Sequence, residues 1–157
     1  MKEKTCCFTG HRKIPPEQYN IIARYVEKEI IKSIENGYLY FGTGGALGFD
    51  TLAAQTVLML KKYYPQIKLI LVLPCRNQAK CWQKEDICEY ERIKNLSDKI
   101  VYTSEKYYNG CMFKRNRHLI DNSSLCICYL TKLNGGTAYT VDYALKTGVQ
   151  IVNIAKL

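Results

Sequence analysis

A chain of 157 residues, 47% hydrophobic and 24% charged, is long enough for one core and too short for two, and Gly 10 with Pro 4 excludes collagenous or low-complexity character. No apolar run approaches the roughly 18 residues of a membrane span. The short run Cys-Cys-Phe-Thr-Gly after Met1-Lys-Glu-Lys-Thr cannot form a signal-peptide core, so a cytoplasmic protein without a membrane partner is expected. Lys+Arg 23 against Asp+Glu 14 leaves +9, which favours nucleotides, nucleic acid or acidic surfaces without choosing among them, and is equally a solvated basic surface. The densest basic cluster is Lys114-Arg115-Asn116-Arg117-His118.

Eight cysteines occur without a CxxC pair. Cys6, Cys7, Cys126 and Cys128 sit in apolar runs where a thiol packs as a small hydrophobe. Cys75, Cys81 and Cys88 are spaced by six and seven, which matches no common zinc spacing, so no metal site is expected and the thiols read as reduced.

In chain order, residues 5–9 read as a buried strand closed by Gly10-His11-Arg12. Pro15-Pro16 opens a helix carrying Ile21, Ile22, Tyr25, Val26, Ile30 and Ile34 at helical spacing, ended by Asn36-Gly37. A strand at 38–41 enters the run Gly42-Thr-Gly-Gly-Ala-Leu-Gly48-Phe-Asp50, and a helix follows over 51–64, stopped by Pro65. Residues 67–73 form an unbroken apolar strand ended by Pro74. Charges alternating with Trp82, Ile87, Tyr90 and Ile93 predict an amphipathic helix over 78–96. Further strands are predicted at 99–103, 125–130 and 150–154, with helices near 114–121 and over 138–147 and a tight loop at 134–137.

Continuously apolar strands alternating with helices imply βαβ units and a mostly parallel sheet with helices on both faces: a single α/β, Rossmann-like domain over residues 1–157. In such folds ligands bind at the carboxyl ends of the strands. The clusters Gly10-His11-Arg12, Gly42 to Asp50, Pro74 to Gln78 and Asn134 to Thr137 all follow strands, so they should converge on one rim.

Gly42, Thr43, Gly44, Gly45 and Gly48 permit close backbone approach, and the following helix start can hold an anion. The run is neither a dinucleotide fingerprint, since Leu47 stands where a third glycine belongs, nor a phosphate-binding Walker loop; a tight turn without a ligand is the alternative. Asp50 is placed either to cap that helix or to bind a ribose hydroxyl. Gly135-Gly136-Thr137 repeats the device, with Thr137 as N-cap and phosphate contact. Arg12, Arg115 and Arg117 could offer forked contacts to phosphate, and Trp82 or Tyr139 could stack on a base, although a lone tryptophan on an amphipathic helix also reads as core. Cys75 beside Arg76 is a candidate for a thiol of lowered pKa.

Gly10-His11-Arg12, Gly42 to Asp50, Tyr64-Pro65 before a strand ending in Pro74-Cys75, Gln78 with Trp82, Arg115-Asn116, Asp121 and Gly135-Gly-Thr-Ala-Tyr-Thr140 together resemble the YpsA-like family of the SLOG superfamily. That superfamily also holds the DNA-processing protein A and the Lonely Guy phosphoribohydrolases. The resemblance spans nearly the whole chain. It implies a Rossmann-like sheet, a nucleotide-related ligand at the glycine loops, and a homo-oligomer. The phosphoribohydrolases carry a catalytic glutamate three residues after the threonine of their glycine loop; here Thr140 stands in its place and supplies no carboxylate.

Three functions follow as expectations. The first is binding, whether to sense or to process, of a nucleotide-derived small molecule of nucleotide, NAD or ADP-ribose type. The second is an enzyme cleaving an N-glycosidic or phosphate bond of such a ligand, with Asp50 and Asp121 as candidate carboxylates. The third is a single-stranded nucleic-acid binder. The expected ligand contacts are Gly10, His11, Arg12, Gly42, Thr43, Gly44, Gly45, Gly48, Asp50, Pro74, Gln78, Arg115, Asn116, Gly135, Gly136 and Thr137.

Overall fold

A computed structural model describes residues 1–157. Six strands, β1 (Thr5–Gly10), β2 (Tyr40–Thr43), β3 (Lys68–Leu73), β4 (Lys99–Tyr102), β5 (Leu125–Tyr129) and β6 (Gln150–Asn153), form one all-parallel sheet in the order β4-β3-β2-β1-β5-β6. The helices are α1 (Tyr19–Glu35), α2 (Phe49–Lys61), α3 (Lys84–Leu96), α4 (Cys111–Asp121) and α5 (Gly136–Lys146). The chain steps outward from β1 to β4 and then returns to place β5 on the other side of β1. The strand order therefore reverses between β1 and β5, and the loops leaving those two strands diverge above the sheet to open a crevice.

Alternation along the buried strands feeds two cores. Cys6 and Phe8 of β1, Phe41 of β2, Leu69, Leu71 and Leu73 of β3, and Ile127 and Tyr129 of β5 join Val26, Ile30, Phe49, Val57 and Ile93 from α1, α2 and α3. On the other face Cys7, Cys126 and Cys128 pack with Leu119 and Ile120 of α4 and Val141 and Ala144 of α5. A hydrogen bond with Cys7, together with burial, raises the Cys126 thiol well above its usual range, and burial raises Cys128 to about 12. All eight cysteines are free; six are buried, and Cys81 and Cys88 are exposed.

Several boundaries differ from the sequence reading. Pro16–Gln18 forms a 3-10 turn before α1, and Ile21, expected on the buried face, is 56% exposed. The helix expected over 78–96 begins only at Lys84. Before it the chain turns twice, Lys80 N donating to the Asn77 carbonyl and Trp82 N to that of Ala79, and Gln83 is extended. Trp82 is half-buried edge-on against Tyr90, 5.2 Å between ring centres, which supports the core reading. α4 starts three residues earlier than expected, after Gly110 in the left-handed conformation. No helix is long and apolar enough to cross a membrane.

Candidate functional site

A cleft of about 310 Å³ opens where the strand order reverses, lined by Thr9, Gly10, His11, Arg12, Ala46, Asp50, Met112, Arg115, Asn116, Gly136 and Thr137. Eight of the expected contacts thus converge: Gly10, His11, Arg12, Asp50, Arg115, Asn116, Gly136 and Thr137. The remaining eight do not line it. Gly135 precedes α5; Gly44, Gly45, Gly48 and Gln78 belong to the loop after β2 and its supports; Gly42 and Thr43 lie in β2, Gly42 lining a separate recess, and Pro74 follows β3. Thr9, Ala46 and Met112 were missed; Met112 was legible as the residue one helical turn before Asn116.

The two glycine segments do different work. A Cβ on Gly44 would fall 2.5 Å from the Arg115 guanidinium, and one on Gly45 would fall 2.6 Å from Leu73. One on Gly48 would run into the backbone of Arg12, at a positive φ of 77° that a side chain already disfavours. This first loop therefore closes on the protein itself. The second is open, for a Cβ on Gly135 or Gly136 would meet nothing within 4 Å. Gly136 begins α5 and lines the cleft, which places the positive end of the helix at the cleft wall.

The first loop fixes the walls. Phe49 N donates to the His11 carbonyl at 3.1 Å, while Gly48 lies against Arg12, so the exit of β1 is held from both sides. His11 Nε2 accepts from Thr131 N at 2.9 Å, joining the exits of β1 and β5. Burial, aided by Lys132, lowers the His11 pKa, which keeps the ring neutral and its proton on Nδ1.

Arg115 is not a free anion fork. It is 4% exposed, and its Nη1 donates to the Gly44 carbonyl and, at 3.4 Å, to that of Val72; Nε donates to Asn116 Oδ1 at 2.7 Å. Its first role is to hold the loop after β2 against α4. Gln78 assists, donating to the Gly44 carbonyl at 3.4 Å and accepting from Tyr90 Oη at 3.3 Å. Arg12 is exposed at the cleft mouth.

Asp50 is buried in the cleft wall. Its Oδ2 accepts from Ala46 N at 3.2 Å, so it braces the loop instead of capping α2, whose N-cap is Gly48. Burial pushes its pKa up to about 6, against the opposing pull of Arg115, the Ala46 N–H and Arg12. Asp121 stands at the other end of the molecule, at the C-terminus of α4, where its Oδ1 accepts from Tyr143 Oη at 2.6 Å. Thr137 lies inside α5, with Gly135 as N-cap. Thr140 Oγ1 donates to the Gly136 carbonyl at 2.8 Å, so its hydroxyl is directed back into the helix. Cys75 is not activated. Burial raises its pKa, and Arg76 is paired with Glu105, Nε to Oε2 2.6 Å, over the Tyr102 ring.

Two outcomes follow. Gly48→Ala should lower stability by roughly 2–4 kcal/mol through overpacking and positive-φ strain, whereas Gly136→Ala should leave it unchanged within about 1 kcal/mol, as urea unfolding will show. Asp50 carries more protons folded than unfolded between pH 3.8 and about 6, so its contribution is full below that window and is lost as pH rises through it. Asp50→Asn should therefore gain on the wild type by roughly 3 kcal/mol between about pH 4 and pH 6.5 and run parallel above it, in unfolding measured across that range.

The family model described as the YspA SLOG family matches residues 7–154. An uncharacterized SPbeta prophage-derived protein, YoqJ of Bacillus subtilis (strain 168), is 34% identical over 134 residues, 78% of this chain and 77% of that protein. A UPF0398 protein of Brevibacillus brevis is 29% identical over 119 residues, 74% of this chain and 63% of its own. Among solved structures, DNA processing protein A of Helicobacter pylori, described for its single-stranded DNA binding mode, superposes over 96% of this chain with a TM-score of 0.69 at 21% identity. That of Streptococcus pneumoniae does so over 96% with a TM-score of 0.68, also at 21% identity. This chain spans 64% and 50% of those two chains, and the likeness is one of fold. Matched over nearly its whole length and carrying the six-stranded parallel sheet, the chain belongs to the YspA SLOG family.

Proposed function

We propose that the chain binds a phosphate-bearing small molecule derived from a nucleotide, of nucleotide, NAD or ADP-ribose type, in the cleft between the exits of β1 and β5. The observation that carries this reading is the open start of α5. Gly136, the first residue of α5, lines a cleft of about 310 Å³ with Arg12 at its mouth, and a Cβ built on it would meet nothing within 4 Å. Helix N-termini of this kind take anions through unsatisfied N–H groups. Asn116 and the neutral His11 add polar groups that suit ribose hydroxyls.

Turnover is a secondary reading. Asp50 is the one carboxylate on the cleft, and a pKa near 6 suits proton transfer close to neutral pH. It is tied to Ala46 N, however, and the position of the phosphoribohydrolase glutamate is filled by Thr140. Single-stranded DNA is the other reading, supported by the +9 charge and by the likeness of fold to DNA processing protein A. Phosphate neutralisation would make such binding fall steeply with salt, whereas a single nucleotide would respond weakly. Self-association and a cytoplasmic setting belong to the same proposal, and light scattering tests the first.

Calorimetric titration with nucleoside mono- and diphosphates, NAD and ADP-ribose tests the cleft. Gly136→Asp introduces a negative charge that suits a helix start and stays clear of the core, so the fold should persist while affinity falls at least about tenfold. Unchanged affinity in that variant would place the ligand elsewhere.

A further inference from the structure

Near the cleft, on the first turns of α4 and α5, stands an aromatic pair outside both cores. Phe113, in the first turn of α4, and Tyr139, in the first turn of α5, meet edge-on with ring centres 4.6 Å apart at 65°. Each remains 40% exposed, and neither belongs to either core cluster. Arg117, one turn after Phe113, donates from Nη1 to Tyr139 Oη at 3.0 Å and so fixes the ring that a solvent-facing tyrosine would otherwise swing freely. The rings do not line the cleft themselves, but each shares a helix face with a residue that does: Phe113 stands three residues before Asn116 on α4, and Tyr139 three residues after Gly136 on α5.

We infer that Phe113 and Tyr139, held by Arg117, form the platform on which the base of a nucleoside monophosphate stacks while its phosphate lies at the start of α5. The inference rests on the reading of the cleft as a phosphate site. Aromatic rings exposed in contact with one another, with a guanidinium beside them, offer the π faces and positive charge that hold an unpaired base. Stacking on such a platform discriminates weakly among bases, because every base has a π face, and the larger ring area of a purine buries more apolar surface than a pyrimidine does. Specificity would thus lie in base plus phosphate, not in an edge-reading code.

Calorimetric titration with AMP, GMP, CMP and UMP, and with ribose 5-phosphate, separates the two parts. The wild type should bind purine nucleotides more tightly than pyrimidine nucleotides and both more tightly than ribose 5-phosphate. Phe113→Ala and Tyr139→Ala should weaken AMP and GMP by roughly 5- to 100-fold, the range of one stacked base, and leave ribose 5-phosphate unchanged. Tyr139→Phe, which keeps the ring and loses the Arg117 bond, should retain most of the affinity. Equal affinity of nucleotides and ribose 5-phosphate for the wild type, or nucleotide binding indifferent to both alanine substitutions, would overturn the platform and leave the cleft reading standing. Binding of none of the five compounds would overturn the platform for nucleoside monophosphates, and absence of binding to nucleoside diphosphates, NAD and ADP-ribose as well would overturn the cleft reading with it. Binding of a short oligothymidylate in place of every mononucleotide would overturn the assignment in favour of single-stranded DNA.

Discussion

The guanidinium of Arg115 is the joint of the molecule. Buried beneath α4, it donates to the carbonyls of Gly44 at the exit of β2, which Gln78 also reaches, and of Val72 in β3. A buried cation is costly unless its donors are satisfied, and here carbonyls, Asn116 and the nearby charge of Asp50 satisfy them together. Burial lowers its pKa, and Asp50 acts against that shift. Arginine serves where lysine would not, because one planar fork reaches several carbonyls at once.

From that joint the division between the two glycine segments follows. Gly44 must lack a side chain because Arg115 lies where one would be, and Gly48 because the backbone of Arg12 does. The first segment therefore positions His11 and Arg12, and the second leaves the start of α5 bare. Reversal of strand order between β1 and β5 brings the two together at one mouth. The apolar recess of about 320 Å³ on the sheet face that α4 leaves open, with Gly42, Ile70, Val72 and Val101 among its lining, has no such anion-directed groups besides a few surface cations at its edge.

Much of this was legible in the sequence. The inner strands β1, β2, β3 and β5 read as short apolar runs, and their alternation with helical spacing, continued by the more exposed edge strands β4 and β6, identified the parallel sheet. Convergence of the glycine clusters followed from their positions after strands. Long-range packing was not legible: Gly44 and Arg115 are 71 residues apart, so spacing alone made both resemble ligand contacts when each is first a contact for the other. The late start of α3 escaped because polar Gln78, Lys80 and Gln83 interleaved with Ala79, Cys81 and Trp82 carry the amphipathic pattern through the turns before Lys84. Asp121 was drawn in by its chemistry, although its place at the end of α4 sets it at the opposite rim. The Phe113–Tyr139 pair joins two helices distant in sequence, and only the Tyr139 half carried a signal.

The central claim is that an anion is held by the start of α5 and not by the earlier glycine loop. An amide nitrogen–proton correlation spectrum titrated with inorganic phosphate, the simplest anion of the proposed class, tests it directly. The account predicts saturable shifts concentrated at the amides of Gly136, Thr137 and Arg12, with those of Gly44 and Gly45 nearly still. Shifts centred on residues 42–48, with Gly136 and Thr137 unmoved, would contradict it.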